Sequence, residues 1–587
     1  MHRGSLFTFV FTIFLFSIAH ASEGEGVTAL SPICQIQGSS WSSPKYNQSV
    51  RTQGVVTADF DATSQKGFYI QAENCDSNPA TSDGVFVYLG ERLDLVSAGD
   101  RVEISGTVTE NYGLTQINAA ASAVQVLAQE QALPAAVELN PPFDDEQARV
   151  YFEAQEGMLV SIAEARVVGP TDSQQDTWVA RADLGLARVF QDDPVGTGEI
   201  ICLGAEGIDK LAPAKVGDQI LGTRGVLGYS VGVYRILLLA APTQIPAKSS
   251  FWGTENSPKL GFSFGTFNLE NLFDVVDDPD KDDAVLTSAE YQRKLDKLAL
   301  ALHDGLGEPA FLAVQEAENE VVLKHLAARV GIEADYEVIW LDGPDERGID
   351  VALLYRPDLV TVLDYAQRQG CTRLVDGLGP DGDRNVTNPV NAVTCDTNGD
   401  GVPDGNRLFS RPPLVVHLEV ALGEGENLPL WVLVNHFKSK REDNSTLAYT
   451  LPRRVEQAQF VGGLAREIMA AHPGAGVMVL GDLNDYPDSQ PLAALRQAGL
   501  WNAMTGIERS NRYTYIYQGV SQVLDHVLVS PALAVNSVRA QPVHVNADYP
   551  YFYRGQAGVI YRGSDHDPVL VQYQVLSERV YLPLVKR

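Results

Sequence analysis

Val477-Met478-Val479-Leu480-Gly481-Asp482-Leu483-Asn484-Asp485 is an apolar run that stops in a polar cluster. Residues 455–469 before it carry apolar side chains at helical spacing. A helix feeding a strand that ends in Asp and Asn is a building unit of layered α/β domains. The pattern continues on both sides. Strand-like runs at 262–267, 311–314, 430–434, 523–529 and 569–573 alternate with helical ones such as 291–302. The expected fold class is therefore α/β for the second half of the chain.

In such domains the functional side chains gather where strands run out into loops. Six strand ends carry polar clusters: Asn268-Leu269-Glu270-Asn271, Gln315-Glu316, Asn435-His436, Asp482-Leu483-Asn484, Leu524-Asp525-His526 and Ser564-Asp565-His566-Asp567-Pro568. A lone Glu or His at a strand end is ordinarily a solvated or packing group. Six together have a shared chemical logic. Asn268, Glu316 and Asp565 offer hard oxygen ligands for Mg²⁺, and His436 and His566 offer imidazoles. Asp482 and Asn484 can hold an attacking water, and Asp525 can orient a histidine. Metal-assisted attack on a phosphodiester requires these parts.

The ordered set N-L-E-N, Q-E, N-H, G-D-L-N, L-D-H and S-D-H-D-P resembles the endonuclease/exonuclease/phosphatase superfamily over residues 262–574. The resemblance implies an α/β (α+β) four-layer sandwich at 261–577 that hydrolyses phosphodiester bonds with Mg²⁺ or Mn²⁺. It makes Glu316 the principal metal ligand, with Asn268 and Asp565 completing the metal and phosphate contacts. Asp482 and Asn484 would position and activate water. His566, paired with Asp525, and His436 would contact the scissile phosphate. It also places Arg347-Gly348-Ile349-Asp350 and Tyr355-Arg356 where phosphate is contacted.

The first half reads as β structure, with Gly, Asn, Asp and Ser punctuating short β-branched and aromatic runs. Ile36-Gln37-Gly38, Gly67-Phe68-Tyr69-Ile70-Gln71 and Thr81-Ser82-Asp83-Gly84-Val85-Phe86-Val87 are similar to the OB-type module of bacterial extracellular nucleases. An OB-like β module is expected at 27–130 and a second β-rich module at 134–241. A linker follows at 242–260, and 578–587 forms a tail. No catalytic cluster falls in residues 22–250. Their removal is therefore expected to lower affinity or stability more than turnover.

The 587 residues carry a net charge of −31, which repels polyanions unless basic groups or divalent cations reverse the field locally. Lys438, Lys440 and Arg454, with Arg441 and Arg453, cluster around the histidine motif and are expected to form a positive rim for phosphate. Residues 1–21 suit a signal peptide, with an uncharged apolar run ending in Ala19-His20-Ala21. The expected address is extracellular, with no transmembrane anchor in the mature chain. Five cysteines in an oxidising compartment should pair: Cys371 with Cys395 first, Cys34 with Cys75 next.

Asp396-Thr397-Asn398-Gly399-Asp400-Gly401-Val402-Pro403-Asp404 follows the start of an EF-hand-type loop. Asp396, Asn398, Asp400, the Val402 carbonyl and Asp404 would hold a structural Ca²⁺. Arg407 stands where a true EF-hand has its bidentate Glu. The expected function is a secreted nuclease cutting extracellular DNA, with RNA a second substrate and no stable protein partner. The alternatives are a phosphodiesterase or phosphatase acting on a lipid or inositol phosphate ester, and a non-catalytic surface or matrix-binding protein.

Overall fold

The computed structural model describes residues 29–208, 210–248, 261–374, 395–423, 425–441, 443 and 448–575. The expected signal peptide 1–21, the tail 578–587 and residues 249–260 of the expected linker lie outside the described residues. By contacts the chain divides at Pro134/Ala135, with Tyr112–Leu114 counted in the later unit.

Among the described residues the first unit holds a short helix α1 (Ile33–Gln37) and six strands. These are β1 (Ser49–Phe60), β2 (Gly67–Gln71), β3 (Gly84–Tyr88), β4 (Arg101–Asn111), β5 (Leu114–Asn118) and β6 (Val124–Ala128). Their order β1-β2-β3-β5-β4 returns to β1, so five strands close a ring, and β3 and β5 run parallel. Closure removes the exposed edges that an open sheet would present. Inside lie Val56, Phe68, Ile70, Val85, Val102, Ile104 and Ile117, set there by period-two alternation. A Cys34–Cys75 disulfide ties α1 to the loop after β2.

The later unit opens with β7 (Val137–Glu138), helix α2 (Asp145–Glu153), β8 (Leu159–Gly169), β9 (Thr177–Arg181) and β10 (Val189–Phe190). It continues with β11 (Ile201–Gly204), β12 (Gln219–Ser230), β13 (Val233–Leu238) and β14 (Thr243–Ile245). Here the order β8-β9-β11-β13-β12 returns to β8, with β11 and β13 parallel. The second β module thus repeats the ring of the first without a legible sequence repeat. Cys202 of β11 is a free, buried cysteine.

The remainder carries β15 (Gly261–Leu272), α3 (Ser288–Leu300), β16 (Phe311–Ala317), α4 (Glu320–Ala327), β17 (Glu337–Trp340), β18 (Asp350–Tyr355) and β19 (Val360–Gln367). Next come β20 (Cys371–Thr372), β21 (Asn406–Arg407), β22 (Leu414–Gly423), β23 (Glu426–His436), α5 (Leu451–Ala471), β24 (Gly476–Asp482) and α6 (Gln490–Gln497). The last are β25 (Trp501–Asn502), β26 (Tyr515–Tyr517), β27 (Val520–Gln522), β28 (Asp525–Val529), α7 (Pro531–Ala534), β29 (Ser537–Pro542) and β30 (Val569–Gln574).

They build two six-stranded sheets, β17-β18-β16-β15-β30-β29 and β19-β22-β23-β24-β28-β25. Phe264, Phe311, Leu353, Val432, Leu480 and Val527 from both sheets share one core. Leu295 of α3 and Leu323 of α4 pack with Phe267 and Val314 on the first sheet's other face. Val461 of α5 and Leu492 of α6 pack with Leu433 and Val479 of the second. The strands are thus apolar on both faces, as helix-covered strands must be. Among the described residues no helix is long and apolar enough to cross a membrane.

The Cys371–Cys395 disulfide forms, with Cα atoms 5.9 Å apart. In the loop after it, Asp396 accepts from the N–H groups of Asn398, Gly399 and Gly401. Asp404 accepts from Thr397 and pairs with Arg373. Val402 is exposed.

Candidate active site

Strand register brings the clusters together. His436 of β23 lies beside Asp482 of β24, and Asp482 lies opposite Asp525 of β28. Three functional residues therefore occupy one row across the second sheet. Gly481 makes the approach possible: a Cβ there would sit 2.0 Å from the Asn435 carbonyl oxygen. In the first sheet Asn268 of β15 is paired with Gln315 of β16. The register then slips at Glu316 against both neighbouring strands. Such a bulge re-aims its side chain, and Glu316 has φ +62°. Asn484, Glu270 and Asn271 also have left-handed backbones, each costing about 1 kcal/mol for a non-glycine residue. That strain concentrates around one cleft.

Asn268 joins the two sheets, its Nδ2 donating to Asp482 Oδ2 at 3.1 Å and to Glu316 Oε1 at 3.2 Å. Glu316 Oε2 accepts the Asn271 N–H at 2.9 Å. His436 Nε2 stands 3.6 Å from Asp482 Oδ2 and 3.8 Å from Glu316 Oε1, beyond hydrogen-bond contact but one atom's width apart. His566 Nδ1 is 2.8 Å from Asp525 Oδ2, and its Nε2 is 3.9 Å from Asp482 Oδ2. Asp482, Asp525 and His566 present donor atoms within 4.8 Å of one another. Because Nδ1 is engaged with Asp525, this trio reads as an oriented imidazole more than as a metal cage. Asn484 fixes the carboxylate from below, its N–H donating to Asp482 Oδ1 at 2.9 Å and its Nδ2 to the Phe437 carbonyl.

Burial and neighbours set the charges apart. Burial raises the Asp482 carboxyl to about 7, with His566 opposing and Asp525 adding to the rise. Burial also raises Asp565, to about 6, helped by Glu270. For His566 burial disfavours the imidazolium, but Asp525 and Asp482 outweigh it and hold its pKa well above the usual value. His436 goes the other way: burial, then Arg411 and Arg347, depress it well below the usual value. The cleft therefore holds one cationic and one neutral imidazole.

The structure corrects several expectations. Tyr355 and Arg356 lie at the far end of β18, with Tyr355 opposite Phe311 while Asp350 is opposite Ala317. Five residues of strand put them on the order of 17 Å from the cleft end. Tyr355 donates to Glu337, and Arg356 pairs with Asp358 at 2.8 Å. Asp350 is at the cleft end but fully buried, accepting from the Gly343 N–H at 2.9 Å. It offers phosphate no surface. Arg454 is 1% exposed and clamped by Asp443 at 2.9 Å and Asp485 at 2.8 Å, and Arg453 spends its guanidinium on the carbonyls of Arg407, Leu408 and Leu374. Arg453 and Arg454 are internal braces of α5, so the expected positive rim is not built from them, and of its arginines Arg441 alone stays exposed. Lys440 Nζ lies 3.5 Å over the Tyr486 ring, and burial lowers it to about 8. Lys438 is half-buried, its N–H donating to Gln457.

Other groups join these: Arg347 and Ser564 stand in stretches already singled out in the sequence, whereas Arg411 and Tyr515 carried no site signal there. Arg411, outside any motif, is buried between Asp345 at 2.9 Å and the Phe437 carbonyl. Arg347 donates to Asn271. Ser564 donates to the Asn268 carbonyl at 2.7 Å and accepts the His566 N–H. The Tyr515 ring lies 4.8 Å from that of His566. Only the alternation Tyr513-Thr514-Tyr515 hinted at a strand there.

Residues 263–377 and 403–556 match the profile of the Endonuclease/Exonuclease/phosphatase family. This part of the chain belongs to the endonuclease/exonuclease/phosphatase superfamily. Residues 122–248 match a domain of unknown function, DUF8508. No curated protein matches the chain. Similar solved structures include an endonuclease/exonuclease/phosphatase from Bacteroides vulgatus, at 16% identity and TM-score 0.35, covering 54% of this chain and 99% of that one. TDP2 from C. elegans is 15% identical with TM-score 0.33, covering 55% and 77%. The human Nocturnin catalytic domain with bound sulfate anion is 15% identical with TM-score 0.33, covering 56% and 98%.

Proposed function

We propose that the protein is a secreted, divalent-metal-dependent endonuclease that hydrolyses phosphodiester bonds of extracellular DNA, with RNA a second substrate. The observation that carries this reading is the row His436–Asp482–Asp525, closed by His566 from one side and by Asn268 and Glu316 from the other. The two helix-backed sheets support the four-layer arrangement, and the closed five-stranded ring with one parallel pair in each module supports two OB-type modules.

The donor set fits a divalent cation. Glu316 and Asp565 supply carboxylate oxygens, the hard ligands Mg²⁺ or Mn²⁺ takes, while Asn268 presents its Nδ2 to Glu316 and its oxygen to the Glu270 N–H, so it would join them only with its amide turned. When bound, the metal would neutralise phosphate charge and polarise the phosphoryl oxygen.

The chain's own groups supply the rest. Asp482, titrating near neutrality, takes a proton from an attacking water, and Asn268 and Asn484 hold its two oxygens in place. His566, kept protonated by Asp525, donates a charge-assisted hydrogen bond to the phosphate as negative charge gathers. His436, neutral and buried, offers a hydrogen bond to a water or phosphoryl oxygen beside Asp482. The Asp396–Asp404 loop is proposed to hold a structural Ca²⁺.

The test is side-by-side assay of the full chain with Mg²⁺ on closed circular plasmid, linear duplex, RNA and sphingomyelin. Cutting of closed circles is expected, because a circle offers no end. Cleavage of sphingomyelin alone would replace the nuclease reading with the lipid-ester one. No turnover on any of them would favour the binding protein.

A further inference from the structure

The second β module meets the α/β part at the two segments that flank His566. Strand β10, which stands outside the ring, pairs with β27, Val189 beside Val520 and Phe190 beside Ser521, turning the β26–β27 hairpin into a three-stranded sheet. That hairpin carries Tyr515, whose ring covers His566. Next to β10, Arg188 is inserted between strand and loop. Its guanidinium donates to Ser521 Oγ at 3.1 Å and Tyr513 OH at 2.8 Å, and pairs with Asp548 Oδ1 at 2.9 Å.

From there the contacts run unbroken. The Tyr513 ring stacks on His544 at 3.9 Å, and His544 Nδ1 lies 2.8 Å from Asp567 Oδ2, the residue after His566. Asp567 in turn donates its N–H to the Thr514 carbonyl of the hairpin. The second segment is docked by backbone: Val216 donates to the Asp548 carbonyl at 3.0 Å, and Tyr551 to the Thr171 carbonyl at 2.9 Å. Packing is close enough that a Cβ on Gly169 of β8 would lie 2.7 Å from Gly519 at the hairpin turn.

We propose that the second β module is a working part of the active site, with Arg188 a positioning residue that sets the hairpin and hence Tyr515 and His566. This departs from the expectation that residues 22–250 act on affinity or stability more than on turnover. Loops that need an external brace are those whose own contacts leave them easily opened, and an ångström of misplacement at a reacting group costs a large factor in rate. The inference rests on the phosphodiesterase reading for its rate measurement.

The test uses Arg188→Ala and Gly169→Val in the full chain, the second keeping Arg188 while pressing on the hairpin turn. Amide hydrogen exchange is followed across residues 513–522 and across β24. Turnover is measured on bis(p-nitrophenyl) phosphate with Mg²⁺, a substrate too small to need a distant binding surface. The expected result is exchange faster at 513–522 by tenfold or more, with β24 unchanged, and kcat lowered about tenfold with KM within twofold. Exchange at 513–522 equal to wild type in both variants overturns the proposal. So does normal kcat in variants whose hairpin has opened. A wild-type enzyme inert toward every phosphodiester would sink the functional reading instead, while the exchange arm still decides whether the module holds the hairpin.

Discussion

His566 Nδ1 sits 2.8 Å from Asp525 Oδ2, and Asp525 stands in register opposite Asp482, whose Oδ2 is 3.9 Å from His566 Nε2. One imidazole is therefore held between two carboxylates on neighbouring strands. The first orients it, and the second faces the cleft. Neither relationship is local in sequence; both come from pairing β24 with β28 and placing the loop before β30 above them.

Glu316→Gln is expected to raise the Mg²⁺ concentration for half-maximal cleavage by at least tenfold, because it removes a full ligand charge while keeping the shape. Activity titrated against Mg²⁺ checks this. An unchanged midpoint would exclude Glu316 as a ligand.

Asp350→Asn probes a buried carboxyl raised by burial to about 7. The unfolded chain releases this proton near pH 4. The folded state keeps it until about 7, so the group's stabilisation is full below pH 4 and lost as pH rises through 7. The wild type should thus lose stability from pH 5 to 7.5 by on the order of 1 kcal/mol per unit from this group. The variant should not. Urea midpoints at both pH values decide, and parallel losses would contradict the assignment.

Arg454→Met is expected to destabilise by about 3–5 kcal/mol, since it strands two carboxylates that the guanidinium neutralises inside the fold. The KM of the folded enzyme should stay within twofold. A large rise in KM at unchanged melting temperature would return Arg454 to the phosphate-contact role that its burial denies.

Changing both Asp396 and Asp400 to Ala should lower the melting temperature in Ca²⁺ and leave it nearly unchanged in chelator. Position 1 of the loop already receives the Gly401 N–H at 2.6 Å. The disulfide beside it limits the ordering cost. Equal shifts with and without Ca²⁺ would mark an ordinary turn.

How much of this was legible in the sequence depended on whether the signal was local. Apolar runs ending in Asn268, Glu316, His436 and Asp482 announced strands with functional ends, and register then brought those ends together. The two disulfides were readable from the cysteine spacing and the expected compartment. Arg454 and Tyr355 misled because a charge or a strand end says nothing about which face or which end meets the cleft. Tertiary pairing with Asp443, Asp485 and Glu337 decided that. Arg411, Arg188 and Tyr515 were invisible because their partners lie far away in sequence and no motif marks them. The shared ring of the two β modules was hidden too, since closure depends on strand pairing that different apolar residues satisfy equally well.

A double-mutant cycle over His566→Ala and Asp525→Ala on a phosphodiester substrate tests the site most directly. Removing one group that stabilises transition-state charge costs about 10²–10³ in rate, and partners acting as a unit do not add. Each single variant is expected to lose at least that order in kcat, and the double variant to be little worse than His566→Ala alone. Wild-type rates in both single variants, or losses that simply multiply, would contradict the reading of His566 and Asp525 as one catalytic pair.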